Sequence, residues 1–212
     1  MSKFSCIGVC MLAALASASA VAGTLSVSSY SMFNGGTGLY DYRDFTYLPC
    51  AGVCDVTGAQ LSGGTGKLTD GVLPADSWYQ YGYLTPWVAW YSSYPNETNP
   101  TVTFYFDSTV TVDSVTVWVD NSLLYDVSLP SAFSVDGIVF PIAYDATNPA
   151  PRAYTLSGLN ITGDSVDVQF FQGSQPWLAV GEVSFDGSLT VPEPATWALM
   201  AGGLALALLR RR

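Results

Sequence analysis

The chain has 212 residues, with 7 Lys and Arg against 17 Asp and Glu, a formal net charge of −10 and no histidine. A Ser-His-Asp triad, a Cys-His pair and imidazole metal ligands are therefore excluded, and so acidic a chain offers nucleic acid no electrostatic footprint. With 49% hydrophobic and 11% charged residues it is too apolar for disorder, and its length suits one ordinary domain.

Residues 1–22 read as a secretory signal peptide. Lys3 marks a charged start, Cys6 to Ala16 is apolar, and Ala18, Ala20 and Ala22 supply small residues before a cut. The run is too short for a permanent anchor. Export through the Sec translocon is expected, with cleavage after Ala20 or Ala22. The mature domain then spans 23–190, where Arg43, Lys67 and Arg152 stand against sixteen carboxylates, a net charge of −13.

Cys50 and Cys54 are the cysteines left after signal removal. Secretion places them in an oxidising compartment, so a local disulfide is expected, stabilising by roughly 2 kcal/mol. Asp41 with Asp44, and Asp164 with Asp167, are close carboxylate pairs of the kind a glycosidase uses. Both lie beside turns and read as solvated surface groups. Ser62-Gly-Gly-Thr-Gly-Lys67 lacks the outer glycine and the closing Ser or Thr of a phosphate loop, and reads as a flexible turn.

The densest aromatic run follows, from Trp78 to Tyr83. On a strand, Tyr79, Tyr81 and Tyr83 would share one face and could stack on sugar rings. Core packing is the competing reading, and Trp90 has the setting of a core residue. Beyond it the periodicity is that of strands. Thr101 to Phe106 is rich in β-branched and aromatic residues, and in Ser114 to Asp120 alternation gives Val115, Val117 and Val119 one face. Ser165 to Phe171 and Leu178 to Phe185 repeat the theme; shorter candidates are Leu25 to Tyr30, Val88 to Tyr91, Gly137 to Phe140 and Ala153 to Leu156. Turn formers separate them, and no helical stretch of useful length lies between the two ends of the chain. The expected fold is all-β, an antiparallel sandwich or jelly roll.

Three segments in order carry a resemblance. Lys67-Leu68-Thr69-Asp70-Gly71, followed by Trp78, is similar to the opening loop of discoidin-like, galactose-binding-like domains. Pro100 to Phe106 with Val112 to Val117 is similar to their central strand pair, and Val180 to Gly187 to their closing strand. The resemblance runs from about residue 60 to 188 and leaves 23–60 as an added stretch. It implies a structural calcium ion held by Asp70 and Glu182, with the Lys67 carbonyl, Asp76 and Ser77 as further contributors, as suits a hard cation wanting oxygens. The bland alternative makes Asp70 an Asx turn and leaves Glu182, by alternation, facing solvent.

The chain closes on Pro192-Glu193-Pro194, fifteen uncharged residues from Ala195 to Leu209, and Arg210-Arg211-Arg212. The prolines allow a helix to start only after Pro194. Fifteen helical residues rise about 22 Å, short of a hydrocarbon core of about 30 Å, which local thinning can accommodate while the arginines stay cytoplasmic. A single membrane helix over 195–209 is expected. Residues 191–212 closely resemble the PEP-CTERM sorting signal of Gram-negative bacteria. That resemblance implies recognition by an exosortase, an inner-membrane stage, and delivery to the cell surface or to extracellular polysaccharide. The first functional reading is a non-catalytic component of the surface or extracellular matrix associated with exopolysaccharide. The second is a calcium-dependent carbohydrate-binding module, and the third a surface glycosidase.

Overall fold

The computed structural model describes residues 23–50, 52–144 and 148–190. The expected signal peptide (1–22), sorting tail (191–212) and helix over 195–209 lie outside the described residues. Among the described residues no helix is long and apolar enough to cross a membrane.

Among the described residues there are nine strands: β1 (Gly23–Leu25), β2 (Ser29–Phe33), β3 (Gln60–Gly64), β4 (Val88–Tyr91), β5 (Thr101–Val119), β6 (Ala132–Val135), β7 (Ile138–Pro141), β8 (Arg152–Phe171) and β9 (Trp177–Leu189). All their ladders are antiparallel. The segments predicted as separate strands at 101–106 and 114–120 are one 19-residue strand, and those at 153–156 and 165–171 belong to one of 20.

These two long strands build both layers. Residues 103–105 of β5 pair with β2 and residues 101–105 with the C-terminal part of β8; residues 110–119 pair with the N-terminal part of β8 and with β9. One layer therefore runs β3-β2-β5-β8-β6-β7. The other runs β8-β5-β9, with β4 and β1 docked on opposite ends of the outer edge of β9. Phe185 of β9 meets Phe104 and Phe106 across the interior at 5.0 and 5.4 Å between ring centroids, and Trp90 of β4 stacks on Phe170 of β8 at 6.1 Å.

Alternation explains the core, with one interruption. In β5 the buried side chains are Val102, Phe104, Phe106, Val110 and Val112, then Val115, Val117 and Val119, a switch from even to odd positions. A strict period of two would turn the second set outward. The register shift between Val112 and Ser114 absorbs the extra residue as a bulge and keeps both sets inside. Ser62 to Gly64 departs from the expected flexible turn. It lies in β3, because Tyr30 and Leu61 are buried there while β2 and β3 pair.

The domain has two apolar centres. The larger lies between the layers; the smaller gathers Tyr42, Trp78, Trp87, Ala89, Val127 and Ala179, with Tyr40, Tyr79, Tyr81 and Trp177 packed against it. The smaller one sits where β9 begins. At the other end of β9, Gly187 pairs with Gly23.

Candidate functional site

A buried polar knot fixes the loop between β2 and β3. Asp44 is fully buried and accepts hydrogen bonds from the Tyr30 hydroxyl, from Thr46 Oγ1 at 3.1 Å and from the Lys67 backbone N–H at 3.1 Å. Its own N–H donates to Asn34 Oδ1 at 2.7 Å, while Asn34 Nδ2 donates to the Cys54 carbonyl at 2.8 Å. Residue 66 is glycine because the Asp44 carboxylate oxygens lie 2.5 Å from where a Cβ would stand. Asp44 is thus no solvated surface group, as its place beside a turn had suggested. Asp41 is held by the Arg43 guanidinium at 2.6 and 2.8 Å, which lowers its pKa. The expected Cys50–Cys54 disulfide is formed, with Cys54 buried beneath the loop.

The Lys67 side chain is spent in this knot. Its Nζ donates to the Arg43 carbonyl at 2.6 Å and the Trp87 carbonyl at 3.3 Å, and lies 4.0 Å from the Phe45 ring centroid. Burial lowers its pKa to about 8, against the opposing pull of Asp44.

Two carboxylates meet on the far side of this loop. The Val183 N–H donates to the Leu68 carbonyl at 2.9 Å, which docks residues 68–71 over β9. Glu182 Oε2 accepts from the Gly71 N–H at 3.3 Å, and Asp70 Oδ1 closes the expected Asx turn on the Val72 N–H at 2.8 Å. Both acids line one cleft of about 370 Å³ with Thr69 and the β1 segment Thr24 to Val27. Glu182 departs from the solvent-facing position that alternation gave it. It leaves the interior face of β9, but the docked loop covers it, and it is 6% exposed. Burial first, and the Asp70 charge second, raise its pKa to about 8. Burial raises that of Asp70 as well. Thr69 Oγ1 is buried here without a partner. Asp76 does not line the cleft. Among the described residues no three or more His, Cys, Asp or Glu form a metal-holding group.

The aromatic run takes a different shape from the one predicted. Residues 78–80 and 82–84 are two short 3-10 helices, so Tyr79, Tyr81 and Tyr83 do not alternate on a strand. Asp120, just past the end of β5, sets their position. Its carboxylate is buried and accepts from the Trp78 N–H at 2.8 Å, from the Ser122 N–H at 2.8 Å and from the Ser122 hydroxyl at 2.5 Å. Burial raises its pKa, and the three donors oppose that shift.

Around buried Trp78 the rings form a run of edge-to-face contacts. Tyr40 meets Tyr83 at 5.6 Å and Trp78 at 5.9 Å, and Tyr125 meets Trp78 at 6.0 Å and Tyr79 at 6.2 Å. Tyr83 and Tyr125 are the outermost, 73% and 74% exposed. Tyr81 is a strut instead: its hydroxyl accepts the Ala75 and Asp76 N–H groups at 2.8 and 3.1 Å. Leu123, Tyr125 and Asp126 hold φ of +50°, +50° and +66°, a conformation that non-glycine residues rarely adopt and that clusters at ligand-contacting loops. A smaller cleft of about 190 Å³ lies beside this loop, between Leu123, Pro130, Tyr144 and Gly173. Tyr40 and Tyr125 escaped the sequence reading because their neighbours come from other loops.

An all-β antiparallel domain whose two long strands carry ladders on both sides is consistent with a β-sandwich. The chain belongs to the family described as discoidin domain-containing receptor 1/2, DS-like domain, whose model matches residues 26–187. The match takes in residues 26–60, so that stretch is part of the family domain and not an addition to it. Residues 190–212 match the PEP-CTERM protein-sorting motif. No curated protein matches the chain.

Solved structures with a similar chain trace include a truncated AlyQ with CBM32 and alginate lyase domains, at 14% identity and TM-score 0.45, covering 81% of this chain and 35% of that one. The CBM32 of AlyQ in complex with 4,5-unsaturated mannuronic acid gives 20% identity and TM-score 0.32, covering 47% and 75%. The family 32 CBM of C. perfringens NanJ in complex with galactose gives 9% and 0.32, covering 53% and 85%. The chain thus spans about a third of the first structure's length.

Proposed function

We propose that this is a non-catalytic secreted surface protein that holds extracellular polysaccharide through its aromatic face. The observation that carries the reading is the pair of outward rings, Tyr83 and Tyr125, joined through Tyr40 and Trp78 and braced from below by Asp120. Aromatic faces offer apolar area with little rotamer freedom to lose, which suits them to the C–H faces of sugar rings. The sorting motif supports handling by an exosortase after export through the Sec translocon, an inner-membrane stage through the tail, and release to the surface of a Gram-negative cell.

Calcium belongs to this proposal as a structural ion. What supports a hard cation in the cleft between β9 and the 68–71 loop is that Asp70 and Glu182 line it together, the Asp70 charge helping to raise the Glu182 pKa, and that a buried Thr69 hydroxyl there lacks a partner. Asp70, Glu182 and Thr69 would hold the ion, which would neutralise the two acids and clamp the loop to β9.

Affinity electrophoresis tests the main reading. Gels containing neutral galactan, neutral glucan, sulfated galactan or alginate should, for at least one polymer, retard the wild-type protein. The double variant Tyr83→Ala, Tyr125→Ala should migrate freely while keeping its melting temperature, since both rings are exposed. No retardation in any gel, or unchanged retardation of the variant, would overturn it.

A further inference from the structure

We infer that the aromatic face selects uncharged polysaccharide and grips it across more than one sugar ring. This deepens the proposed glycan binding and rests on it.

Charge carries the first half. Arg43, Lys67 and Arg152 are the basic residues of the domain, against sixteen carboxylates. Arg43 is paired with Asp41, and the Lys67 side chain is buried under Phe45 and bonded to two carbonyls. Arg152 opens β8 opposite Val119 and is half-buried. Exposed Asp76 and Asp126 flank the rings, with Asp120 buried beneath them. A uronate or sulfate chain laid on this face would meet net negative charge, and like charge in close contact disfavours binding. A neutral sugar meets no such penalty, and carboxylates at the rim are good acceptors for its hydroxyl groups.

Geometry carries the second half. Centroid steps of 5.6, 5.9 and 6.0 Å lead from Tyr83 through Tyr40 and Trp78 to Tyr125. The two outermost rings meet different neighbours, Tyr83 the Tyr40 ring and Tyr125 the rings of Trp78 and Tyr79, and stand as two exposed platforms on the one surface. Two modest contacts on one chain act with a high effective concentration, so affinity should climb with chain length.

The test uses polymers that share a backbone and differ in charge. Neutral galactan should retard the protein in affinity gels at low salt, and its sulfated counterpart should not. Neutral galacto-oligosaccharides should compete increasingly from dimer to hexamer, with galactose itself at least tenfold weaker than the hexamer. Tyr83→Ala alone should bring hexamer and dimer to within about twofold of each other. Retardation by sulfated galactan or alginate equal to that by the neutral polymer would overturn the charge selection while leaving glycan binding intact. Equal competition by galactose and hexamer would overturn the extended grip. Absence of retardation by every polymer would instead remove the reading on which both rest.

Discussion

Glu97 is a buried carboxylate with little compensation. It is fully buried, its Oε2 accepts the Tyr91 N–H at 2.7 Å, and its Oε1 has no partner. Burial raises its pKa from 4.5 to about 7, opposed only by the Tyr91 N–H. The folded chain therefore holds this proton more tightly than the unfolded one. Its stabilising contribution is complete below about pH 4.5 and is lost as the pH rises through about 7. Glu97→Gln keeps a neutral side chain at every pH. Thermal melts should show variant and wild type alike near pH 5, with the variant increasingly the more stable toward pH 8. A constant gap across that range would remove Glu97 from the pH response. Neither Glu97 nor Asp44 was legible as a buried acid. Each sits among polar turn residues, and the partners that bury Asp44 come from Tyr30, Asn34 and Lys67, elsewhere in the chain.

At the level of elements, β5 and β8 decide the architecture, and half of their logic was visible. Period-two alternation marked the strands correctly because one face of each is buried. Their continuity was hidden, since the bulge between Val112 and Ser114 reverses the parity of the apolar positions and mimics a strand boundary. The tyrosine run misled for the opposite reason: it alternates like a strand, but Gly82 at φ +63° and the Tyr81 hydroxyl clamp curl it into two short helical turns. Where β5 hands over between layers, Phe185 fills the interior against Phe104 and Phe106. Phe185→Ala should cost about 3–5 kcal/mol. A domain of this size should then melt roughly 10 °C lower. A loss of only a degree or two would mean that the layers do not depend on this contact.

For the whole molecule, the cleft at Asp70 and Glu182 ties an early loop to the closing strand, so an ion there would act on global stability. Adding calcium to chelator-treated protein should raise the melting temperature, and Asp70→Asn with Glu182→Gln should abolish the rise. An identical melt with calcium and with EDTA would remove the ion from the proposal. The same long strand has a mechanical consequence. β9 runs 13 residues from Trp177, packed under the aromatic face, to Leu189, where the sorting tail departs and Gly23 pairs alongside. At about 3.3 Å per residue it spans roughly 40 Å. A pull between material held on the rings and an attachment beyond residue 190 would load β9 lengthwise. Its ladder to β5, from Val180 to Leu189, would then be sheared as a set instead of unzipped bond by bond. Under the proposed glycan binding, grip and attachment would lie at opposite ends of this one strand, the arrangement a tether under tension requires.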